Sequence, residues 1–247
     1  MNPHRLLITG AAGRIGSAFA RAQYSAYQLR LADLAVDSLA DVAAERVRLD
    51  VTDPVSCRRA CEGMDSVIHL AGDPSPQADF LTSLLPTNLV GTYHMFAAAQ
   101  ACGCRRFVFA SSAQAVEGYP LDVQVREDMP TRPGNLYGVT KVFGEALASY
   151  FSMEFGMVCV AVRIANLARF EAGQVHRARD VAAFISERDV VHLLVRCVEA
   201  ELSGFNVVHG VSDNRYKRLA IERTRELLGY RPADDAFVIL EGDAASG

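Results

Sequence analysis

The sequence predicts an α/β protein built on a doubly wound parallel sheet. Short apolar, strand-like runs recur through the first two thirds of the chain, and longer segments with helical periodicity separate them. This alternation is typical of parallel βαβ units with helices on both faces of the sheet. The predicted strands are Arg5–Thr9, Tyr27–Ala32, Val47–Asp50, Ser66–Leu70, Arg106–Ser111 and Met157–Ile164. The predicted helices are Ile15–Ser25, Pro54–Glu62, Leu84–Ala101 and Tyr137–Phe155.

The pattern changes after Ile164. An arginine-rich stretch, Arg169–Arg179, precedes a predicted helix at Arg188–Ala200, a strand at Phe205–His209 and a helix at Arg215–Leu228, and we expect the last ten residues to be a frayed tail. We expect one domain over residues 1–247, with residues 1–165 as the sheet core. Residues 166–237 would then mostly form a small cap over the carboxyl ends of the strands, where such sheets bind ligands.

Composition excludes several classes of partner. The net charge of −4 gives no basic surface for nucleic acid or an anionic membrane, and no apolar run is long enough for a membrane span. The six cysteines form no CxxC pair and suggest no metal site, so we expect reduced thiols. The first strand begins too early to leave room for a signal peptide. Together these features predict a cytoplasmic protein.

A glycine-rich turn joins the first predicted strand to the first helix. Gly10, Gly13 and Gly16, with Arg14 and Ile15 between the last two, lie in the segment Thr9–Gly16. Glycines permit the tight turn and bring backbone N–H groups and the helix N-terminus close to a pyrophosphate. The spacing is GxxGxxG rather than GxGxxG, but its position at the first strand–helix junction predicts a Rossmann dinucleotide site.

An acidic residue at the end of the second strand bears on the cofactor. Asp33 follows Gly16 by 17 positions, where a carboxylate can accept hydrogen bonds from an adenosine ribose and would repel a 2′-phosphate. NAD is therefore favoured over NADP, although Arg14 lies close enough in sequence to offset part of this charge. The alternative is that Asp33 only caps the next turn.

A tyrosine and a lysine one helical turn apart supply a reactive pair. Tyr137 and Lys141 project from one helix face, and an ammonium near a phenol favours the phenolate, which can then accept a proton from a hydroxyl. Ser112 follows a strand whose end faces the ligand crevice, where its hydroxyl could hold a substrate oxygen. The alternative is an exposed surface pair and a serine that caps a turn.

In combination these features resemble the extended short-chain dehydrogenase/reductases, the NAD-dependent epimerase/dehydratase family, over nearly the whole chain. The segments that carry the resemblance are Thr9–Gly16, Asp33, Asp50-Val51, His69–Gly72, Asn88, Gly91-Thr92, Phe107–Ser112, Tyr137–Lys141 and Leu228–Pro232. The resemblance implies that Ser112, Tyr137 and Lys141 are catalytic, and that the family often dimerises through the helices around Leu84–Ala101 and Tyr137–Phe155.

The resemblance also assigns cofactor contacts. It places Asp50 and Val51 at the adenine, Leu70, Ala71 and Gly72 at the pyrophosphate and ribose, Ile164 near the nicotinamide, and Asn88 among the cofactor-binding residues. Plain structural roles for Asn88, as support for a helix, and for His69, in the core, stay open.

Within the family the pattern is most similar to uronate dehydrogenases, which oxidise the anomeric carbon of hexuronates with NAD. That similarity places Arg179 on a carboxylate-binding arginine, and Ser75, Ser112 and Gln114 at the substrate. Ala113-Gln114 replaces an Asn-His pair of that group, and the loop at Asp73–Pro76 differs in length. The function predicted is oxidation of a sugar or sugar-acid hydroxyl; the alternatives are an epimerase or dehydratase, and a dinucleotide-sensing regulator without chemistry.

Overall fold

A computed structural model describes residues 4–242 and contains a seven-stranded parallel sheet. Its strands are β1 (Arg5–Thr9), β2 (Gln28–Asp33), β3 (Glu45–Arg48), β4 (Ser66–His69), β5 (Arg106–Ser112), β6 (Val158–Ile164) and, after the two short strands described below, β9 (Phe205–Gly210). The order across the sheet is β3-β2-β1-β4-β5-β6-β9, and each neighbouring pair is parallel. The order in which successive strands are added to the sheet reverses between β1 and β4, so a crevice opens at the carboxyl ends of these two strands. The predicted fold class is confirmed.

Helices cover both faces of this sheet. They are α1 (Arg14–Gln23), α2 (Pro54–Cys61), α3 (Gly91–Ala101), α4 (Leu136–Phe155), α5 (Ala178–Ala182), α6 (Glu187–Glu199), α7 (Glu222–Leu228) and α8 (Ala236–Glu241). Side chains of each strand point alternately to the two faces of the sheet. In β1, Leu6 and Ile8 pack with α1 and α6, whereas Leu7 packs with the layer of α2, α3 and α4. This alternation produces two apolar cores, one on each side of the sheet.

The predicted helix Leu84–Ala101 is two helices of different winding. Residues Phe80–Val90 form a π-helix that contains Pro86, and α3 follows without a break. Proline has no N–H to donate, and a wider turn is a common way to accommodate such an interruption. The backbone N–H of Gly91 correspondingly donates to the carbonyl of Pro86, five residues earlier.

Two predictions for the last third of the chain are wrong. Arg215–Ile221 is not helical: the backbone on either side of Leu219 exchanges hydrogen bonds with Val125, so this segment pairs with a loop. The expected frayed tail, the last ten residues, begins inside α8, because Val238–Glu241 are helical and Ala236 of the same helix is fully buried against Val181 and Phe184. The remainder of that tail, residues 243–247, lies outside the described residues.

The segment after β6 lies beside the carboxyl ends of the strands. It includes a small second sheet of β7 (Asn166–Leu167) and β8 (Phe184–Ile185). The buried carboxylate of Asp189, in α6, fastens this part of the chain by accepting hydrogen bonds from Ser212 Oγ at 2.6 Å and from the backbone N–H groups of Ala233 and Asp234 at 2.8 and 3.1 Å. Three separate stretches of chain therefore converge on one side chain.

Candidate active site

A cleft of about 840 Å³ lies at the carboxyl ends of the central strands. Most of the residues predicted to act in the site line it. They are Gly10, Gly13, Arg14, Ile15, Gly16, Asp33, Asp50, Val51, Leu70, Ala71, Gly72, Ser112, Gln114, Tyr137, Lys141, Ile164 and Arg179. The structure thus brings together residues from six strand ends and three helices.

The glycine-rich turn is compact at one end of this cleft. Gly10 has φ +67°, and a Cβ there would lie 2.6 Å from the backbone nitrogen of Ala71. A Cβ at Gly16 would lie 2.4 Å from the carbonyl oxygen of Gly10, so α1 could not pack this closely with another residue. The start of α1 has no side-chain cap. Its first N–H groups are therefore available to an anion in the cleft.

Asp33 is held at the mouth of the same turn. Its Oδ2 accepts a hydrogen bond from the backbone N–H of Ala12 at 3.0 Å, and its Oδ1 accepts one from Ala35 at 2.9 Å. Each carboxylate oxygen keeps capacity for a further donor. The residue therefore does cap a turn, as the alternative interpretation held, and it also presents negative charge to the cleft.

A buried polar network lies beside the glycine-rich turn and links it to neighbouring elements. Thr9 Oγ1 lies 2.7 Å from His69 Nδ1, and the opposite ring nitrogen lies 3.4 Å from Thr92 Oγ1. Burial first, and the charge of Lys141 second, lower the pKa of His69 to about 3, so the ring is neutral near pH 7. His69 is thus a core residue that links β1, β4 and α3.

Tyr137 and Ser112 face each other across the other end of the cleft. Burial raises the pKa of the Tyr137 phenol above its ordinary value, the adjacent Ser112 hydroxyl lowers it, and the carboxylate of Asp73 raises it. Burial is the largest of these effects, so the pKa of this phenol is raised, whereas the spacing to Lys141 predicts that it would be lowered. The Lys141 Nζ lies 5.4 Å from the centre of the Tyr137 ring and 5.2 Å from that of Phe109.

Lys141 is buried, and its position is energetically unfavourable. Burial lowers the pKa of Lys141 to about 8 because desolvation disfavours the ammonium. Among the described residues no side-chain or backbone acceptor hydrogen-bonds its Nζ, while the side chain lines the cleft. A ligand hydroxyl there would supply the missing acceptor.

We therefore expect Lys141→Met to stabilise the protein while it removes activity. At pH 7 the variant should gain about 1–3 kcal/mol in free energy of unfolding, because an uncompensated buried charge is lost. The unfolded chain binds more protons at this site between pH 8 and 10.5, so wild-type stability should rise with pH across that range and the difference should shrink. Urea unfolding at several pH values measures both effects.

Lys217→Met is the matched control, since Lys217 is the only other lysine of the chain. Its ammonium donates to Asn214 at 2.7 Å and pairs with Asp213 at 2.8 Å, so the substitution should not stabilise the fold. A Lys141→Met variant less stable than wild type at pH 7 would contradict the expectation.

Two predicted site residues do not line the cleft. The Asn88 side chain is buried and hydrogen-bonds both backbone groups of Asp73, accepting at 2.8 Å and donating at 2.9 Å. It also donates to Thr140 at 3.3 Å, so it positions the loop after β4 against α4. Ser75 is likewise used within its loop, where its hydroxyl accepts from the backbone of Gln77. A direct cofactor contact by Asn88 and a substrate contact by Ser75 are not supported.

Two predicted substrate residues line the cleft but already have partners. The Gln114 amide oxygen accepts a hydrogen bond from Asn135 at 2.7 Å, and Asn135 caps the start of α4. Arg179 donates through Nε to Glu117 at 2.7 Å and through its second terminal nitrogen to the other Glu117 oxygen at 2.5 Å. Sequence reasoning missed both partners because each is fixed only by contacts distant along the chain.

A buried ion pair lies directly behind the serine of the site. Glu145, in α4, accepts two hydrogen bonds from Arg163 of β6, each at 2.9 Å, and one from Ser111 at 2.6 Å. The side chains of Arg163 and Glu145 are 3% and 7% exposed. The pair therefore fastens α4, which carries Tyr137, to the strands beneath it.

The site fits a dinucleotide. The turn leaves no room for side chains at Gly10 or Gly16, the α1 N-terminus is uncapped, and a buried ammonium lines the far end. No group of histidine, cysteine, aspartate or glutamate in residues 4–242 is arranged to hold a metal ion, and no helix in that range is long and apolar enough to cross a bilayer. Fold and site together define a Rossmann oxidoreductase of the short-chain dehydrogenase/reductase type.

Comparison with known proteins gives the family. Residues 6–197 match the model of the NAD dependent epimerase/dehydratase family. The chain is 38% identical to an NAD-dependent glucose-6-phosphate dehydrogenase of Haloferax volcanii, over 94% of each chain. It is 32% identical to a uronate dehydrogenase of Pseudomonas putida, over 94% of this chain and 85% of that protein.

A solved structure agrees with these relatives. A uronate dehydrogenase variant from Agrobacterium tumefaciens, complexed with NAD, superposes with a TM-score of 0.85 at 32% identity, covering 95% of this chain and 86% of that one. The chain belongs to the NAD-dependent epimerase/dehydratase family. It is an NAD-dependent enzyme of the short-chain dehydrogenase/reductase type.

Proposed function

We propose that the protein oxidises a hydroxyl group of a sugar or sugar acid with NAD, as a dehydrogenase that releases NADH. The observation that carries this proposal is the convergence of Ser112, Tyr137 and Lys141 at one end of a dinucleotide-sized cleft. The relatives named as dehydrogenases of glucose 6-phosphate, uronates and L-arabinose support the substrate class, and uronate oxidation is one specific reaction among those they suggest. Relatives with epimerase activity are more distant in sequence.

The residues have separable roles in the proposed reaction. The Tyr137 phenolate takes the proton of the substrate hydroxyl, and Ser112 Oγ donates a hydrogen bond to that oxygen and positions it. The Lys141 ammonium faces the same space and favours the phenolate once a ligand shields the site. Bound NAD supplies the acceptor for the hydride that leaves the carbinol carbon. Asp33 and the α1 N-terminus hold the other half of the cofactor site.

An absorbance screen at the NADH band tests this function. Protein and NAD would be mixed with a panel of aldoses, uronic acids, sugar phosphates and polyols. A dehydrogenase gives steady net NADH with at least one of them. An epimerase or dehydratase would convert a sugar without net NADH, and a regulator would bind dinucleotide without converting any sugar.

We also propose that residues 166–237 mostly act as the substrate cap and that the enzyme works in the cytoplasm. Leu167 and Arg179 of this segment line the same cleft as Tyr137 and Lys141, which supports a substrate role. All six cysteines are free, and five are buried, which suits a reducing compartment.

A homodimer is the proposed assembly. On α4 an apolar stripe faces outward, formed by Val139, Phe143, Ala146, Tyr150 and Met153, and Met153 is 80% exposed. The helix α3 packs against α4 and exposes the large side chain of Tyr93. An apolar face of two adjacent helices suits an isologous contact with a second copy.

Sedimentation tests the dimer. We expect a mass of about twice 26.8 kDa for the wild type and a shift towards the monomer for Met153→Glu, because a charge would be buried in the contact. Val175→Glu, at a loop position that is 96% exposed, is the control and should leave the mass unchanged. A monomeric wild type contradicts the proposal.

A further inference from the structure

The arginine expected to bind a substrate carboxylate already binds a carboxylate of the protein. Arg179 and Glu117 form a two-pronged pair in which Nε and one terminal nitrogen each donate to a separate oxygen. The two side chains are only 18% and 19% exposed. The remaining terminal nitrogen lies 3.3 Å from Asp180. Planar, bidentate recognition is the geometry by which arginine selects carboxylates, and here Glu117 has taken that geometry.

The surrounding charges also oppose an anionic substrate. Asp73 lines the cleft near Tyr137, and its carboxylate accepts hydrogen bonds from Ser83 Oγ at 2.5 Å and from the backbone of Ser75 at 2.9 Å. The other nearby guanidinium, that of Arg218, is committed to carbonyl oxygens of the loop Tyr119–Val123. Apart from Lys141 at the reacting end and Arg14 beside the glycine-rich turn, the positive charge around the cleft is thus balanced or occupied.

Neutral hydroxyl groups face no such penalty. A carboxylate such as that of Asp73 can accept a further hydrogen bond from a hydroxyl, and such charge-assisted bonds are among the stronger ones in proteins. A substrate carboxylate, by contrast, would have to displace Glu117 from Arg179. Otherwise it would meet a guanidinium whose charge Glu117 already balances. Displacement would leave the Glu117 charge partly buried without a partner.

We propose that the Glu117–Arg179 pair makes this enzyme selective for uncharged aldoses and that Glu117 is the residue that disfavours uronates. This inference rests on the proposed dehydrogenase function. The similarity at Arg179 suggests that the substrate is a uronate. The inference instead assigns a neutral sugar as the substrate oxidised in the same cleft.

Matched sugar pairs that differ only at C6 test the selectivity. The kcat/KM for NADH formation would be measured with glucose against glucuronate and with galactose against galacturonate. We expect the wild type to favour the aldose at least about tenfold in one pair. Glu117→Gln should raise the uronate-to-aldose ratio about 10- to 100-fold by freeing Arg179, as expected for a charged hydrogen bond. Glu117→Ala should shift the ratio in the same direction.

Glu241→Gln is the matched control. Glu241 forms an equally two-pronged pair with Arg215, at 3.0 and 3.2 Å, outside the cleft, so its loss should leave the ratio unchanged. A wild type that prefers uronates, or a ratio that does not change in Glu117→Gln, overturns the selectivity while the dehydrogenase function stands.

A screen without NADH from any sugar would instead refute the proposed function. Selectivity would then be decided by calorimetric titration of the NAD-loaded protein with the same sugar pairs. Tighter binding of the aldose, reversed in Glu117→Gln, supports the role of Glu117. Tighter binding of the uronate by the wild type, or no binding of either sugar, overturns it.

Discussion

Tyr137→Phe is expected to lower kcat by about 10³-fold with whichever sugar the wild type oxidises. The substitution removes only the phenol oxygen, the proposed acceptor of the substrate proton beside Ser112, and a positioned general base contributes about 10²–10⁴-fold. The ring stays buried in the same place, so the fold and the cofactor site should be preserved. Stopped-flow or steady-state absorbance of NADH measures the loss.

The control for this variant is cofactor binding. Calorimetric titration with NAD should give an affinity within about threefold of the wild-type value, because the N-terminus of α1 and Asp33 are untouched. A Tyr137→Phe enzyme with near-normal kcat would remove Tyr137 from the chemistry. Weak NAD binding together with low kcat would mean that the phenol serves the cofactor rather than the proton transfer.

Glu145→Leu is expected to reduce the free energy of unfolding by about 3–5 kcal/mol. The substitution leaves Arg163 charged, buried and without its carboxylate, and breaking a buried pair by removing one partner has this typical effect. It also removes the acceptor of Ser111, next to the proposed catalytic serine. Denaturant unfolding monitored by circular dichroism gives the change.

The double variant Glu145→Leu/Arg163→Met separates charge from packing. With both charges absent, apolar side chains of similar length should recover most of the lost stability, since a buried pair and its apolar replacement are often close in energy. If the double variant is as unstable as Glu145→Leu alone, the loss comes from packing. The ion-pair account would then be wrong.

Much of the fold could be predicted because local sequence and global topology agree here. Strands such as Arg106–Ser111 are short, apolar and followed by polar residues, and parallel strands place those followers at one edge of the sheet. The glycine turn, Asp33 and the Tyr137–Lys141 spacing are also local patterns. All of them line the same cleft.

Other features depend on contacts that no local pattern contains. Glu117 precedes Arg179 by 62 positions, and their pairing is set by how the segment after β6 folds back over the cleft. Arg215–Ile221 shows helical residue types, yet Leu219 to Ile221 are all buried and pair with a loop. Spacing alone likewise predicts that Lys141 lowers the pKa of Tyr137, whereas burial is the largest effect on this phenol and raises its pKa. The ion pair, the non-helical segment and the pKa of Tyr137 all depend on tertiary contacts.

The ties to Asp189 have a consequence for protein engineering. Because its carboxylate joins α6 to Ser212 beyond β9 and to the Ala233–Asp234 turn, the residues beyond β6 are tied to one another as a unit. A chimera that exchanges this segment whole with that of a relative would carry all three connections with it, whereas an exchange of only part of the segment would break them. New sugar preferences should therefore be easier to obtain by point substitution inside the cleft, or by exchange of the whole segment, than by recombination of smaller blocks within it.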